Sequence, residues 1–416
     1  MAFSLQQFGK VAKIGATAFV SAQALAVGAL VGIDEWRKRR SHSGPVRFPT
    51  LEPHTVEVNE NALTTYMDAR TLYSDMLQAI ESAEKYVLFE SYIWKSDRVG
   101  QKFKDALIAA AQRGVNVYII YDSFANLVVP PSFKKFPKIP HLHVLPFPIA
   151  KLGMITLQRK YFGRDHRKVL VVDGTTGFIG GYNIGELYED QWRDTHLRLR
   201  GPAVWELDNA FVDFWNEHCR HRHPLLQDRG ARSWDTSILA ALNTPHKLLF
   251  PVRGIYIDAL ERATERVWIT SAYFIPDRQI QKAVLAAVHR GVDVRVLVPD
   301  KSNHLVADWA ARSFYSELLE AGAQIWLYED VMIHAKTMVV DGRWVTVGTA
   351  NIDELSMTRN FEINLQIASD KQAQYLEEVF LRDLLNSHEL TLLQWESRGL
   401  VARITEHLLR PLRLVL

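Results

Sequence analysis

Apolar residues along this chain fall into two alternating periods. Runs such as "YVLFESYIW" and "VNVYIIYD" read as buried strands, whereas Asn61 to Glu81, Gln101 to Gln112 and Trp205 to Trp215 space their apolar residues as helices do. Strands alternating with helices predict an α/β layer fold with a largely buried sheet. From about Pro251 the same order starts again: "QRGVNVYIIYD" at Gln112 to Asp122 matches "HRGVDVRVLVPD" at His289 to Asp300, and "FESYIW" around Tyr92 resembles "TSAYFIP" around Tyr273.

The repeat is sharpest around "HAKTMVVDG", His334 to Gly342. Side chains at i and i+2 of a strand share a face, so His334 and Lys336 are presented together. The same order stands 168 residues earlier, in "DHRKVLVVDG", with His166, Lys168 and Asp173 against His334, Lys336 and Asp341. The offset then continues without a gap through Gly180 and Gly348, Asn183 and Asn351, Glu186 and Glu354, to the carboxylates Asp194 and Glu362. The chain is two copies of one unit.

Composition narrows the partners. A net charge of +2 over 416 residues sets up no global field for nucleic acid, and none is expected as partner. Cys219 is the only cysteine, so no internal disulfide is possible and a reducing compartment is the default. Ile14 to Ile33 is an uncharged apolar run long enough to cross a bilayer, flanked by Lys10 and Lys13 before and Arg37 to Arg40 after. It reads as a membrane anchor, with a cleaved signal peptide or a buried helix as competing readings, and the denser basic flank places the main body on the cytoplasmic side. The organisation expected is an anchor segment over 1–40, a linker over 41–56, a first lobe over 57–225, a connector over 226–250, a second lobe over 251–390 and an amphipathic segment over 391–416. The irregular stretch between Phe124 and Gly163 suits a lipid surface or a lid over a pocket.

Two facing units would supply two histidines. One neutral imidazole can attack phosphorus while a protonated one donates to the leaving oxygen. Lys168 and Lys336 would neutralise the phosphoryl oxygens, and the amides of Asn183 and Asn351 could donate to them. Asn183 with Glu186 and Asn351 with Glu354 also resemble helix capping boxes. Asp194 and Glu362, each at the same distance from its own histidine, are the candidates for orienting the imidazoles. Asp173 and Asp341 complete the candidate catalytic set, with a role expected to be mainly structural because each precedes a turn glycine. "EHCRHRH" at Glu217 to His223 lacks a zinc spacing, so neither metal nor cofactor is expected.

Paired His-x-Lys-x4-Asp motifs with a trailing Gly-Gly-x-Asn or Gly-Thr-x-Asn resemble the phospholipase D superfamily. "ESYIW", "WRDTHLRLRGPAV", "SAYFIPD" and "NFEIN" are most similar to bacterial cardiolipin synthases. The resemblance implies two repeated α/β/α lobes with the active site between them, beside the N-terminal apolar helix, and a phosphohistidine intermediate, with the first-half histidine as nucleophile. It also implies transfer of a phosphatidyl group between two phosphatidylglycerol molecules with release of glycerol, at the inner membrane. A phospholipase D using water as acceptor and a nuclease of the same superfamily would use the same side chains.

Overall fold

The computed structural model describes residues 45–149, 163–228, 230–231 and 235–409, with the single positions 28 and 33. The run Ile14 to Ile33 otherwise lies outside them, as do residues 150–162 of the long first-half stretch. Among the described residues no helix is long and apolar enough to cross a membrane.

The first half builds an eight-stranded sheet from β1 (His54–Val58), β2 (Asn61–Tyr66), β3 (Tyr86–Ser91), β4 (Asn116–Asp122), β5 (Leu142–Phe147), β6 (Val169–Val172), β7 (Thr176–Gly180) and, beyond the two-residue β8 (Trp192–Arg193), β9 (His196–Arg200). Its spatial order is β1-β2-β9-β7-β6-β3-β4-β5. The second half repeats this with β10 (Ile238–Leu242), β11 (Arg266–Ser271), β12 (Asp293–Pro299), β13 (Gln324–Tyr328), then the short β14 (Met332–Ile333), β15 (Lys336–Val340), β16 (Trp344–Gly348), β17 (Ile363–Ala368) and β18 (Ser387–Glu389). Its order, β10-β17-β16-β15-β11-β12-β13-β18, matches the first once β1 and β18 are set aside. In each sheet the strands after the first helical crossover run parallel and the motif strands antiparallel. Every residue of β6 and β15 is buried, as strands covered on both faces require.

Helices α1 (Ala69–Glu81), α2 (Arg98–Gln112), α3 (Glu186–Gln191) and α4 (Val204–His218) belong to the first lobe. The second carries α5 (Pro251–Arg262), α6 (Arg278–His289), α7 (Leu305–Arg312), α8 (Tyr315–Ala321), α9 (Glu354–Thr358) and α10 (Asp370–Leu384), followed by α11 (Leu392–Glu396) and α12 (Leu400–Leu409). One apolar core crosses the junction: Val169, Ile179 and Leu197 of the first sheet share it with Val345, Ile363 and Leu365 of the second, together with α4 and α10. The outer faces are covered separately, by α1 and α2 on one side and by α5 and α6 on the other. The lobes are thus fused rather than tethered.

Four expectations change. Helical spacing from Asn61 conceals a strand: β-branched Thr64 and Thr65 pair with Arg198 and Leu197, and α1 begins only after Asp68, whose carboxylate accepts the Thr71 N–H at 2.9 Å. The irregular stretch after Phe124 contains β5, which pairs with β4. β1 begins inside the stretch read as linker, and the stretch read as connector supplies β10, which pairs with β17. The terminal amphipathic segment keeps its place and is, over its described part, a docked helix: buried Glu406 of α12 meets Arg312 and Arg398, each at 2.9 Å.

Candidate active site

The two motif histidines sit where the lobes exchange backbone hydrogen bonds. Asp165 and Phe361 form a parallel bridge, and the His166 N–H donates to the Phe361 carbonyl at 3.1 Å. On the other side β8 pairs in parallel with β14, and the His334 N–H donates to the Arg193 carbonyl at 2.7 Å. Each bridge carries a histidine on one strand and, one residue beyond its partner, a carboxylate on the other. The result is a crossed pairing. Glu362 accepts from His166 Nδ1 at 2.9 and 3.0 Å, and Asp194 accepts from His334 Nδ1 at 2.7 Å. Reading each carboxylate with the histidine of its own half is therefore corrected, because the bridge places it beside the other lobe's ring.

With both Nδ1 atoms engaged, the Nε2 atoms are the ones left for chemistry, and both rings line one cleft of about 1280 Å³. Tyr92 meets the His166 ring edge-on at 4.6 Å, and Trp192 lies 4.8 Å from the His334 ring. Here the sequence correspondence shifts by one residue. Ser91 and Ser271 occupy matching positions, donating to the Ile93 and Tyr273 carbonyls, so Tyr92 corresponds to Ala272 and not to Tyr273.

Behind each imidazole stands a lysine. Lys168 Nζ donates to the His166 carbonyl at 2.7 Å, and Lys336 Nζ donates to the His334 carbonyl. Lys336 is only 1% exposed, and burial pushes its ammonium down to about 7, against the pull of Asp194. Burial pushes Lys168 down to about 8. Both histidines are likewise lowered by burial, His334 further than His166 because Lys336, Lys168 and His166 repel its charge, while Glu362 opposes the shift at His166. Burial raises Asp194 to about 6.

The residues two positions before each asparagine are matched to the length of each carboxylate. A Cβ on Gly181 would lie 2.2 Å from Asp194 Oδ1, so only glycine lets the short aspartate approach. The corresponding Thr349 donates its hydroxyl to Glu362 Oε2 at 2.5 Å. Thr349 was not singled out from sequence, although the difference between Gly-Gly and Gly-Thr was its signal. Arg193 was also missed. It is fully buried, pairs with Asp383 through two hydrogen bonds of 2.8 Å, and donates to the Asp194 carbonyl, so it ties the β8 bridge to α10.

Other candidates land elsewhere. Asp173 and Asp341 occupy the far ends of β6 and β15 at positive φ, 54° and 52°, and do not line the cleft. Asp173 accepts from the backbone N–H of Glu84, Lys85 and Tyr86, and Asp341 from those of Thr264, Glu265 and Arg266. Their inclusion in a catalytic set is corrected to a hairpin clamp: a left-handed Asp just past the strand accepts from three successive backbone N–H groups of the segment beside it. Burial pushes the Asp341 carboxyl up, but these hydrogen bonds hold it below its usual value overall. Asn183 and Asn351 line the cleft but are not helix caps, because α3 follows Gly185 and α9 is capped by Asp353, which accepts the Ser356 N–H at 2.7 Å.

Two fused lobes that each give one cleft a histidine with a buried lysine behind it define a protein of the phospholipase D class. The chain belongs to the family described as cardiolipin synthase, PLD-like domain, whose model matches residues 76–215 and 256–384. The major cardiolipin synthase ClsA of Bacillus subtilis (strain 168) is 34% identical over 378 residues, covering 88% of this chain and 78% of that protein. A cardiolipin synthase of Listeria innocua serovar 6a is 35% identical over 392 residues, covering 91% and 80%. Among solved structures, phosphatidylserine synthase of Haemophilus influenzae Rd KW20 superposes with a TM-score of 0.65 at 15% identity, over 89% of this chain and 95% of that one, a likeness of fold.

Proposed function

We propose that the protein is a phosphatidyltransferase that makes cardiolipin from two molecules of phosphatidylglycerol. The observation that carries this reading is the crossed pair of imidazoles in one cleft, each held through Nδ1 by a carboxylate of the opposite lobe. Relatives of 34% and 35% identity that bear the name cardiolipin synthase support the choice of substrate.

In the first half-reaction His166 Nε2 attacks phosphorus, the bond from phosphorus to the glycerol oxygen breaks, and His334 gives that oxygen its proton. In the second, a primary hydroxyl of another phosphatidylglycerol loses its proton to His334, bonds to phosphorus, and releases His166. Lys168 and Lys336 neutralise the phosphoryl oxygens, with the amides of Asn183 and Asn351 as further donors. Glu362 and Asp194 stabilise the positive charge that each ring acquires. The substrate resides in a bilayer, so the enzyme works at a membrane surface, with Ile14 to Ile33 as its anchor.

Incubating the purified full-length protein with labelled phosphatidylglycerol and separating the lipid products tests this. Cardiolipin and free glycerol are expected; phosphatidic acid alone would point to hydrolysis instead. His166→Ala and His334→Ala should each abolish turnover while leaving the circular dichroism spectrum unchanged. Given a donor with a good leaving group, His334→Ala should still trap labelled phosphatidyl-enzyme, whereas His166→Ala should trap none.

A further inference from the structure

The two walls of the cleft differ in what they offer a ligand. On the first-lobe wall the Asn183 side-chain oxygen is engaged, accepting the Ile93 N–H at 3.2 Å, and two residues on stands Gly185, without a side chain. At the matching second-lobe positions stand Asn351, 5% exposed, whose buried Oδ1 has no hydrogen-bond partner, and Asp353, a carboxylate 6% exposed. Both line the cleft that His166 and His334 share. At these two matched positions the repeat thus leaves acceptors on the second-lobe wall and none on the first.

Acceptors of this kind do not suit a phosphoryl group, whose oxygens have no hydrogen to give. They suit a hydroxyl. A buried acceptor without a donor is unusual in a folded protein and calls for one from a bound molecule. Capping of α9 gives one carboxylate oxygen of Asp353 to the Ser356 N–H, with the Ser356 hydroxyl against the same carboxyl, which burial raises to about 7; serine or asparagine would cap as well. In the first lobe Gly185 provides no cap for α3, and the Asp97 carboxylate, from another segment, accepts the Glu186 N–H at 2.9 Å instead.

We propose that Asn351 Oδ1 and the Asp353 carboxylate form a hydroxyl-reading subsite, which binds the hydroxyl adjacent to the reacting oxygen in a vicinal-diol alcohol. The inference rests on the phosphatidyl-transfer reading and deepens it. Glycerol leaving and the glycerol headgroup arriving both place such a hydroxyl one carbon from the oxygen that His334 serves. The subsite selects a polyol acceptor over water and simple alcohols, and its position makes the second-lobe side of the cleft the alcohol side.

The test is a competition for one phosphatidyl-enzyme. Full-length protein in phosphatidylglycerol mixed micelles is supplied with 1,2-propanediol and 1-propanol at equal concentration, and the two phosphatidyl-alcohol products are quantified. Their ratio depends only on acceptor choice, not on the fraction of enzyme folded or the rate at which the intermediate forms. Wild-type protein should favour the diol, and Asp353→Asn, which keeps the cap but turns an acceptor into a donor, should lower the ratio by about tenfold. Asp353→Ser, a second cap-retaining variant, should do the same. A wild-type ratio near one, or variants within about twofold of wild type, overturns the subsite. Wild-type protein that makes no phosphatidyl-alcohol at all overturns the transfer reaction itself and this subsite with it.

Discussion

Glu362 reaches His166 Nδ1 at 2.9 Å from the opposite lobe, across 196 residues of chain, and Asp194 reaches His334 at 2.7 Å across 140. Neither motif histidine therefore finds its carboxylate within its own lobe. The crossing makes the lobe junction part of the catalytic device, because any slip of the two bridges would separate both pairs at once.

The crossing assigns each carboxylate to a half-reaction. Glu362→Gln should slow formation of the phosphatidyl-enzyme by about 10²-fold or more, since it weakens the ring that attacks phosphorus. Asp194→Asn should leave formation from a donor with a good leaving group nearly intact and slow release to the acceptor instead. Rapid-quench measurement of the labelled intermediate distinguishes them; the reverse pattern would mean that each carboxylate serves the histidine of its own half.

Activity and stability should move in opposite directions in mild alkali. Burial brings Lys336 to about 7 and Lys168 to about 8, so each loses its proton as pH rises through those values. If their cations neutralise phosphate, kcat/KM for a soluble short-chain donor falls from about pH 7 upward. In the unfolded chain the same lysines stay protonated to about 10.5, so between pH 8 and 9.5 the unfolded state binds more protons and the unfolding free energy rises with pH. Parallel pH profiles of kcat/KM and of urea midpoints check both signs; a kcat/KM flat to pH 9.5 contradicts the lysine role.

The buried pair of Arg193 and Asp383 should behave as a unit. Arg193→Met leaves a carboxylate buried without its partner and should lower stability by about 3–5 kcal/mol. Arg193→Met combined with Asp383→Leu should recover most of that loss. Denaturant melts of the single and double variants decide it, and additive losses would show that the two residues act independently.

The hairpin aspartates should be felt in stability and not in turnover. Asp341→Ala removes an acceptor for three backbone N–H groups and the Thr264 hydroxyl, and should cost about 2 kcal/mol. Its kcat per folded molecule should stay within about twofold of wild type. A drop of 10²-fold at full folding, measured with active-site titration, would return Asp341 to the catalytic set.

Much of this was written in the linear pattern. The 168-residue repeat makes the two lobes legible, because each copy carries the same local instructions: buried β-branched runs, an Asp-Gly turn, and His and Lys on one strand face. Those are short-range constraints, and periods of 2 and 3.6 report them directly. The same locality explains the misses. The strand at Asn61–Tyr66 and the strand Leu142–Phe147 exist because a neighbouring strand offers them a ladder, which no window of the sequence records.

What only the tertiary structure decided is who meets whom. The sequence placed Asp194 and Glu362 at equal intervals from their own histidines, and the parallel bridges then exchanged them. It presented Asn183 and Asn351 as equivalents, but packing engages one oxygen and leaves the other buried without a partner. Arg193 became visible only when distant segments closed around it. Local propensity fixes elements within a copy of the repeat, whereas the partners of a buried charge depend on contacts between copies, whose sequence separation carries no periodic signal.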